Sequence, residues 1–324
     1  MPYNSLIGRG DAAALIPEEV SREIIQNIPQ NSAVMTLARR LPNMSRKQQR
    51  LPVMSALITA YFVDPSDTGQ MQTNEVSWVN KYINAEKLAV IVPIPKDVLE
   101  DADYDIWGEV RPRIEEAFGR AFDAAVLYGT NAPTSWPTAV CTAALAASHN
   151  IDGTPSSGDM YDAIMWTGGL IAVVEEDGFN VTGHIGALAV RARLRGLRLP
   201  DGAGNAGKGE PLFRWDQGTS GQTQYSLDGN PIIFPKNGAV NASTSWLISG
   251  DWSQLVFAMR QDIAYEVLDQ AVIQDGNGDI QINLAQQDML ALKATMRLGW
   301  QLPNPINNIQ ATEANRYPFA YLTP

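Results

Sequence analysis

Residues 46–88 constrain the fold of this chain more than any other segment. They carry no helical period, and their middle, Asp64-Pro65-Ser66-Asp67-Thr68-Gly69, is turn chemistry. The flanks, 57–63 and 76–83, are β-prone and hold Tyr61, Phe62, Trp78 and Tyr82. The pattern predicts a long two-stranded hairpin. An isolated hairpin is marginal in water, and a protrusion of this size fits poorly within one compact domain. Its aromatic side chains therefore need a surface, supplied by neighbouring copies or, alternatively, by the chain's own body. Limited proteolysis separates the two: the region near Asp64 is cut in free subunits and protected in assemblies only in the first case.

The rest of the chain can fold by itself. With 324 residues, 45% hydrophobic and 18% charged, it suits one or two domains with a sizeable core. It has no run of about 18 apolar residues able to span a membrane. The start, Met1-Pro2-Tyr3-Asn4-Ser5, lacks the basic and apolar regions of a secretion signal. Cys141 is the only cysteine, so internal disulfides are excluded and a reducing cytoplasm is expected. The net charge of −11 argues against tight non-specific binding to nucleic acid, which draws its affinity from Lys and Arg displacing counterions.

Several elements are legible by period. Ile16-Pro17-Glu18-Glu19 opens a helix with Pro and two carboxylates in its first turn; Val20, Ile24, Ile25 and Ile28 form its stripe, and Pro29 ends it. The residues before it read as an arm that another surface must order. Residues 86–95 alternate into a strand with Leu88, Val90, Val92 and Ile94 on one face, and 97–103 form a helical turn. A long helix starts near Asp105: Trp107, Val110, Ile114, Ala117, Ala121 and Ala125 recur at three- and four-residue steps, widened by Phe118 and Phe122. Roughly 22 residues make a rod of about 33 Å. Pro112 implies a kink or a start nearer Gly108, and Gly129, Asn131 and Pro133 stop it.

Further on, Ser157 or Asp159 caps a helix through Met160, Ile164, Leu170 and Val174. Another helix is expected over 187–199, with Ala187, Val190, Leu194 and Leu197 on one face and Arg191, Arg195 and Arg198 on another. Strands follow at 224–227, 232–234, 245–249, 263–267 and 280–284, with Asp228-Gly229-Asn230 and Asp275-Gly276-Asn277-Gly278 as turns. A last strand, 291–301, is broken by Pro303 and Pro305.

This order of elements resembles the major capsid protein family of tailed bacteriophages. Leu15-Ile16-Pro17-Glu18-Glu19-Val20 is similar to the segment after that family's N-terminal arm, and Asn31-Ser32-Ala33-Val34 through Leu41-Pro42 to the approach to its extended loop. Glu86-Lys87-Leu88-Ala89-Val90-Ile91-Val92-Pro93-Ile94 and Asp97-Val98-Leu99-Glu100-Asp101 resemble the strand and turn before its spine helix. Gly229-Asn230-Pro231-Ile232-Ile233, Leu247-Ile248-Ser249-Gly250-Asp251-Trp252 and Leu292-Lys293-Ala294-Thr295-Met296-Arg297-Leu298-Gly299-Trp300 match its later hairpin, its aliphatic-Gly-Asp-aromatic signature and its last strand.

The resemblance implies an α+β, Hong Kong 97-type capsid fold. Its parts are an N-arm with first helix (1–45), an extended β-hairpin loop (46–88), a peripheral domain with the spine helix (89–145) and its return strand (287–312), an axial domain (146–286) and a C-terminal tail (313–324). It implies a structural protein without cofactor, metal or catalysis, whose hexamers and pentamers build an icosahedral virion shell around double-stranded DNA in the cytoplasm of a bacterial host. Portal, scaffolding and decoration proteins are the implied partners, with no membrane. Because some members carry a long N-terminal scaffolding region and this sequence opens at the arm, a separate scaffolding protein, or none, is expected. An encapsulin-type compartment with the same fold is the alternative. Some members also join subunits through a loop lysine and an asparagine. Residues 64–73 contain no lysine, with Lys47 and Lys81 lying toward the hairpin base, so boiled, denatured particles should run as a single band.

Other motifs point weakly to chemistry. Gly202-Ala203-Gly204-Asn205-Ala206-Gly207-Lys208 imitates a nucleotide loop and carries the remote alternative of a nucleotide-using enzyme. It follows an Arg-rich helix and precedes Gly209-Glu210-Pro211, where a strand, a Ser or Thr and a helix are required. Asp275 opens a calcium-like loop, but Ile280 and Gln286 stand where Gly and Glu belong. His149, His184 and Cys141 lack zinc spacing. A Ser-His-Asp triad stays open, without a nucleophile elbow to support it. The basic cluster Arg39, Arg40, Arg46, Lys47 and Arg50 is a solvated face or meets acidic residues such as Glu100, Asp101 and Asp103 on neighbouring copies. Arg191, Arg195 and Arg198 are a solvated face or an intersubunit contact around the capsomer axis.

Overall fold

The computed structural model describes residues 31–60, 62, 73–101, 105–155, 160–197, 215–217 and 223–324. The arm and first helix, Tyr61, most of the hairpin tip, Asp103, the caps at Ser157 and Asp159, Arg198 and the Gly202 loop lie outside the described residues.

Two sheets organise the body. In the first, strands run in the order Arg39–Arg40, Val256–Leu268, Met289–Gln301, Glu86–Pro95. The alternation read from the sequence is realised: Leu88, Val90 and Val92 pack on the core that Leu292, Ala294, Met296, Leu298 and Trp300 share with Ile114, Phe118 and Phe122 of the long helix. Each large apolar side chain buried there contributes about 1.5–3 kcal/mol.

That helix spans Ile106–Tyr128. Asp105 caps it, its carboxylate accepting from the Gly108 N–H at 3.1 Å. A Cβ at position 108 would stand 2.7 Å from that carboxylate, so a larger residue there would make the Asp105 side chain shift. The start is thus two residues ahead of Gly108, and the helix continues through Pro112, which sits in its second turn. At the other end Gly129 takes φ 74°, and its N–H donates to the Ala125 carbonyl at 3.0 Å.

The short helix Ala33–Leu37 sits across the long one where Gly119 leaves room; a Cβ there would lie 3.0 Å from the Ser32 nitrogen. Asp123, fully buried, accepts from the Ser32 hydroxyl, from Ala33 N–H at 2.9 Å and from Val34 N–H at 3.1 Å. One carboxylate on the long helix therefore satisfies the open N-terminus of the short one.

The second sheet runs Asn150–Asp152, Phe319–Thr323, Leu247–Gly250, Gly183–Gly186, Asn230–Ile233, Thr223–Leu227, Trp215–Gln217. Its core joins Leu247, Ala320 and Leu322 to Met160, Ile164, Leu170, Val174, Val190 and Leu194 from three short helices. Asp228 and Gly229 both take positive φ, 50° and 75°, the turn that a two-residue hairpin requires.

The structure corrects several readings. The helix expected through Met160 and Val174 is two, Met160–Met165 and Leu170–Glu176, because Gly168 takes φ 74° between them. The 187–199 helix is shorter, Val190–Gly196. Residues 313–324, read as a tail, contain Phe319–Thr323, a strand inside the second sheet with Phe319, Ala320 and Leu322 wholly buried. The strand at 263–267 is the middle of Val256–Leu268, which pairs with Met289–Gln301; a boundary at 286 therefore cuts across the first sheet.

The hairpin exists with a different first strand. Gln48–Met54 pairs antiparallel with Trp78–Asn84, from Gln48 opposite Asn84 to Met54 opposite Trp78. Residues 57–60 are not in a strand.

Candidate assembly interface

The base of the hairpin is anchored in the first sheet. Ile83, Ala85 and Met44 are buried with Val256 and Ala258 of the first sheet, and Leu51 packs on them. Asn84 donates to the Ser135 carbonyl at 2.8 Å and accepts, through its own carbonyl, from the Trp136 indole at 3.0 Å. Beyond the base the two strands hold each other. Ser55 and Ser77 hydroxyls meet at 2.7 Å, and Thr59 donates to the Asn74 side chain at 2.8 Å.

What the outer hairpin presents is apolar. Phe62 is fully exposed, Ile58 65% and Trp78 61% exposed, with Val79 and Tyr82 also open to solvent. Isolated exposed apolar residues are ordinary; several on one hairpin are a feature that marks interaction sites more often. None of Ile58, Phe62, Trp78, Val79 and Tyr82 belongs to a core cluster among the described residues.

The basic residues surround the hairpin base. Arg39, Arg40, Arg46, Lys47 and Arg50 are all exposed. Arg40 donates to the Asn43 side chain at 3.2 Å, and Lys47 stands 3.6 Å from Glu86. Glu100 and Asp101 are exposed at the end of the helix Lys96–Asp101. On the helix Val190–Gly196, Arg195 is exposed and Arg191 half-buried. Sequence reasoning passed over Arg193, whose guanidinium lies 4.0 Å from the centre of the Trp246 ring, a stacking arrangement that no local pattern announces. It also missed Glu313, which reaches Lys81 at 2.7 Å across 232 positions of sequence.

The residues that tempted toward chemistry have structural employment. His184 is buried between the Ser249 hydroxyl at 2.7 Å and the Leu227 carbonyl at 3.2 Å, and burial lowers its pKa to about 4. Both ring nitrogens are used and neither meets a carboxylate, so the triad geometry is not formed there. His149 lies 3.2 Å from Asp177, with its other nitrogen at the Phe319 carbonyl; Asp177 also accepts the Tyr317 N–H at 2.7 Å. Burial pushes the Cys141 thiol up to about 12, far from a reactive thiolate. The Asp275 carboxylate accepts the N–H groups of Asn277 and Asp279 within its own turn, and these bonds lower its pKa. Among the described residues no group of His, Cys, Asp and Glu is placed to hold a metal ion, and no helix is long and apolar enough to cross a membrane.

The body is thus two sheets carrying a hairpin whose outer apolar side chains lie outside the core clusters of the described residues. Residues 12–310 match the phage capsid family, and the chain belongs to that family. It is 27% identical over 286 residues, 86% of this chain and 79% of the relative, to the major capsid protein of Staphylococcus phage 80alpha. Among solved structures, a chain from Microbacterium phage Oxtober96 superposes with a TM-score of 0.80 at 33% identity, covering 99% of this chain and 100% of that one. One from Mycobacterium phage Cain does so with a TM-score of 0.80 at 30% identity, covering 99% of both. The function is that of a phage major capsid protein, a structural component of the virion that associates with copies of itself. The mixed helix and strand architecture is consistent with the Hong Kong 97-type fold.

Proposed function

We propose that copies of this chain form hexamers and pentamers that tile an icosahedral shell around double-stranded DNA, assembled in the host cytoplasm, with the hairpin as a principal contact between copies. The observation that carries this reading is the hairpin itself: at and beyond the far end of its paired strands, Trp78, Ile58 and Phe62 are exposed. In this reading the first sheet and the long helix form the peripheral part and the second sheet the axial part around the capsomer centre. Interfaces of on the order of 1,600 Å², several per subunit, add up while each stays weak enough for misplaced subunits to leave. The acidic balance of the chain keeps the wall from adhering to the genome. The subunit acts without cofactor or chemistry of its own, and portal, scaffolding and decoration proteins are its partners. The phage relatives favour this container over an encapsulin-type compartment. Negative-stain microscopy of the expressed protein tests the reading: closed shells with six- and five-membered capsomers are expected, and only monomers at high concentration would overturn it.

The basic cluster supplies a second test. The Lys47–Glu86 pair is long and exposed, the kind of contact worth about 0–1 kcal/mol. Arg46→Glu with Lys47→Glu should therefore leave soluble, folded subunits. If the cluster faces acidic residues on adjacent copies, like charges brought together cost several kcal/mol there, and shell yield should fall about tenfold or more. An unchanged particle yield rejects the role.

A further inference from the structure

A hairpin fixed at one point can swing; fixed at two, it has a direction. The first point is Asn84, bonded to Ser135 and Trp136. The second lies further along the same strand, Trp78–Asn84, where Gln301 and residues from the 302–316 segment meet it. There Lys81 meets Glu313 at 2.7 Å, and the Gln301 amide donates to the Tyr82 carbonyl at 2.9 Å. A cavity of about 60 Å³ between them is lined by Met54 and Val79 from the hairpin and Pro303 and Ile306 from the loop.

The loop that presents Glu313 is itself rigid. Arg316, 3% exposed, donates to the carbonyls of Gln310 at 2.7 Å, Ala311 at 3.1 Å and Asn304 at 3.0 Å. The Asn304 amide returns a bond to the Arg316 carbonyl at 2.8 Å. A buried guanidinium spreading its donors over the loop's own carbonyls holds it in one shape. Glu313 is thus offered from a fixed platform.

We propose that Lys81, Gln301 and Glu313 are positioning residues for assembly: they form an intrachain strut that sets the angle at which the hairpin leaves the body. An exposed ion pair adds little to folding; its leverage is geometric. From Lys81 to Thr73 the chain, if fully extended, covers at most roughly 25 Å, so a tilt of about 10° at the base carries the far end up to about 4 Å. Packing contacts weaken severely once a gap of about 0.5–1 Å opens. A small rotation at the strut therefore takes Phe62 and Trp78 out of register with whatever covers them. The inference rests on the reading of the hairpin as an intercopy contact.

The experiment reads the angle and the assembly separately, on the full chain. Spin labels at Glu75→Cys and Ala146→Cys report the distance from hairpin to body in free subunits; microscopy and sedimentation report shells in the unlabelled protein. Lys81→Glu and Glu313→Lys alone should each broaden and shift the distance distribution and reduce shell yield about fivefold or more. The exchange Lys81→Glu with Glu313→Lys, or the conservative Lys81→Arg, should recover both readouts, which lost fold stability would not permit. A distribution unmoved by either reversal, or unrestored by exchange and by Lys81→Arg alike, overturns the strut. A moved distribution with undiminished shells overturns instead the role of the hairpin as a contact, and the assembly role of the strut with it.

Discussion

Asp123→Ala will cost the folded subunit about 1–3 kcal/mol or more, the range for leaving a buried donor without its acceptor. The carboxylate is the common acceptor for the Ser32 hydroxyl and for the N–H groups of Ala33 and Val34. Alanine leaves those donors facing a dry cavity, and an unsatisfied buried donor costs about 1–3 kcal/mol. The same change removes the bonds that hold the N-terminus of the helix Ala33–Leu37 to the long helix. Urea denaturation of purified subunits measures the loss; one below about 1 kcal/mol would mean that the junction carries little of the fold.

Asp123 also gives stability a pH dependence with a definite sign. Burial raises its carboxyl to about 6 despite the hydrogen bonds that oppose the shift. A folded-state pKa above the unfolded one means that the folded subunit binds the extra proton. The contribution is therefore fully present below the ordinary aspartate range near about 4 and is lost as pH rises through about 6. Asparagine does not titrate. The stability lead of the native chain over Asp123→Asn should be widest near pH 4 and narrow by about 2–3 kcal/mol by pH 7; comparing the two proteins cancels the other carboxylates.

Nothing local marks Asp123 in the sequence. In the stripe of the long helix it reads as a solvent-facing position beside Phe122, and its partners stand about ninety positions earlier. The elements legible in advance were those whose burial is one-sided. The strand Glu86–Pro95 alternates because only one of its faces packs on the core, and the long helix repeats at three and four residues for the same reason. Phe319–Thr323 is buried on both faces, so it has no alternation to show, and five residues after Pro318 look like a tail. The first hairpin strand failed in the opposite way. Gln48, Gln49 and Arg50 are polar because they lie at an exposed edge, and Pro52 argues against a strand until that edge is seen. The apolar run at 57–63 drew the assignment instead. The candidate interface was half legible: its aromatic side chains are visible in the sequence, while the base that aims them depends on Asn84, Gln301 and Glu313, brought together from distant segments.

Phe62→Ser with Trp78→Ser should abolish shells and leave the subunit folded. Both side chains stand largely outside the body, so their removal changes stability by about 0.5 kcal/mol or less, as for surface substitutions in general, and the melting temperature of the free subunit by about 2 °C or less. Assembly weighs the same atoms differently. Covering a large apolar side chain is worth about 1.5–3 kcal/mol, so the pair gives up about 4 kcal/mol in each contact it forms. Every 1.4 kcal/mol is about tenfold in an association constant, which makes the deficit on the order of a thousandfold per contact. A closed shell repeats the contact in every subunit, and weakness at one interface is compounded around the lattice. Soluble monomers with native circular dichroism and no particles in the electron microscope are the expected result. Normal particle yield would mean that these aromatics stay in solvent in the finished shell, and that another surface holds the copies together.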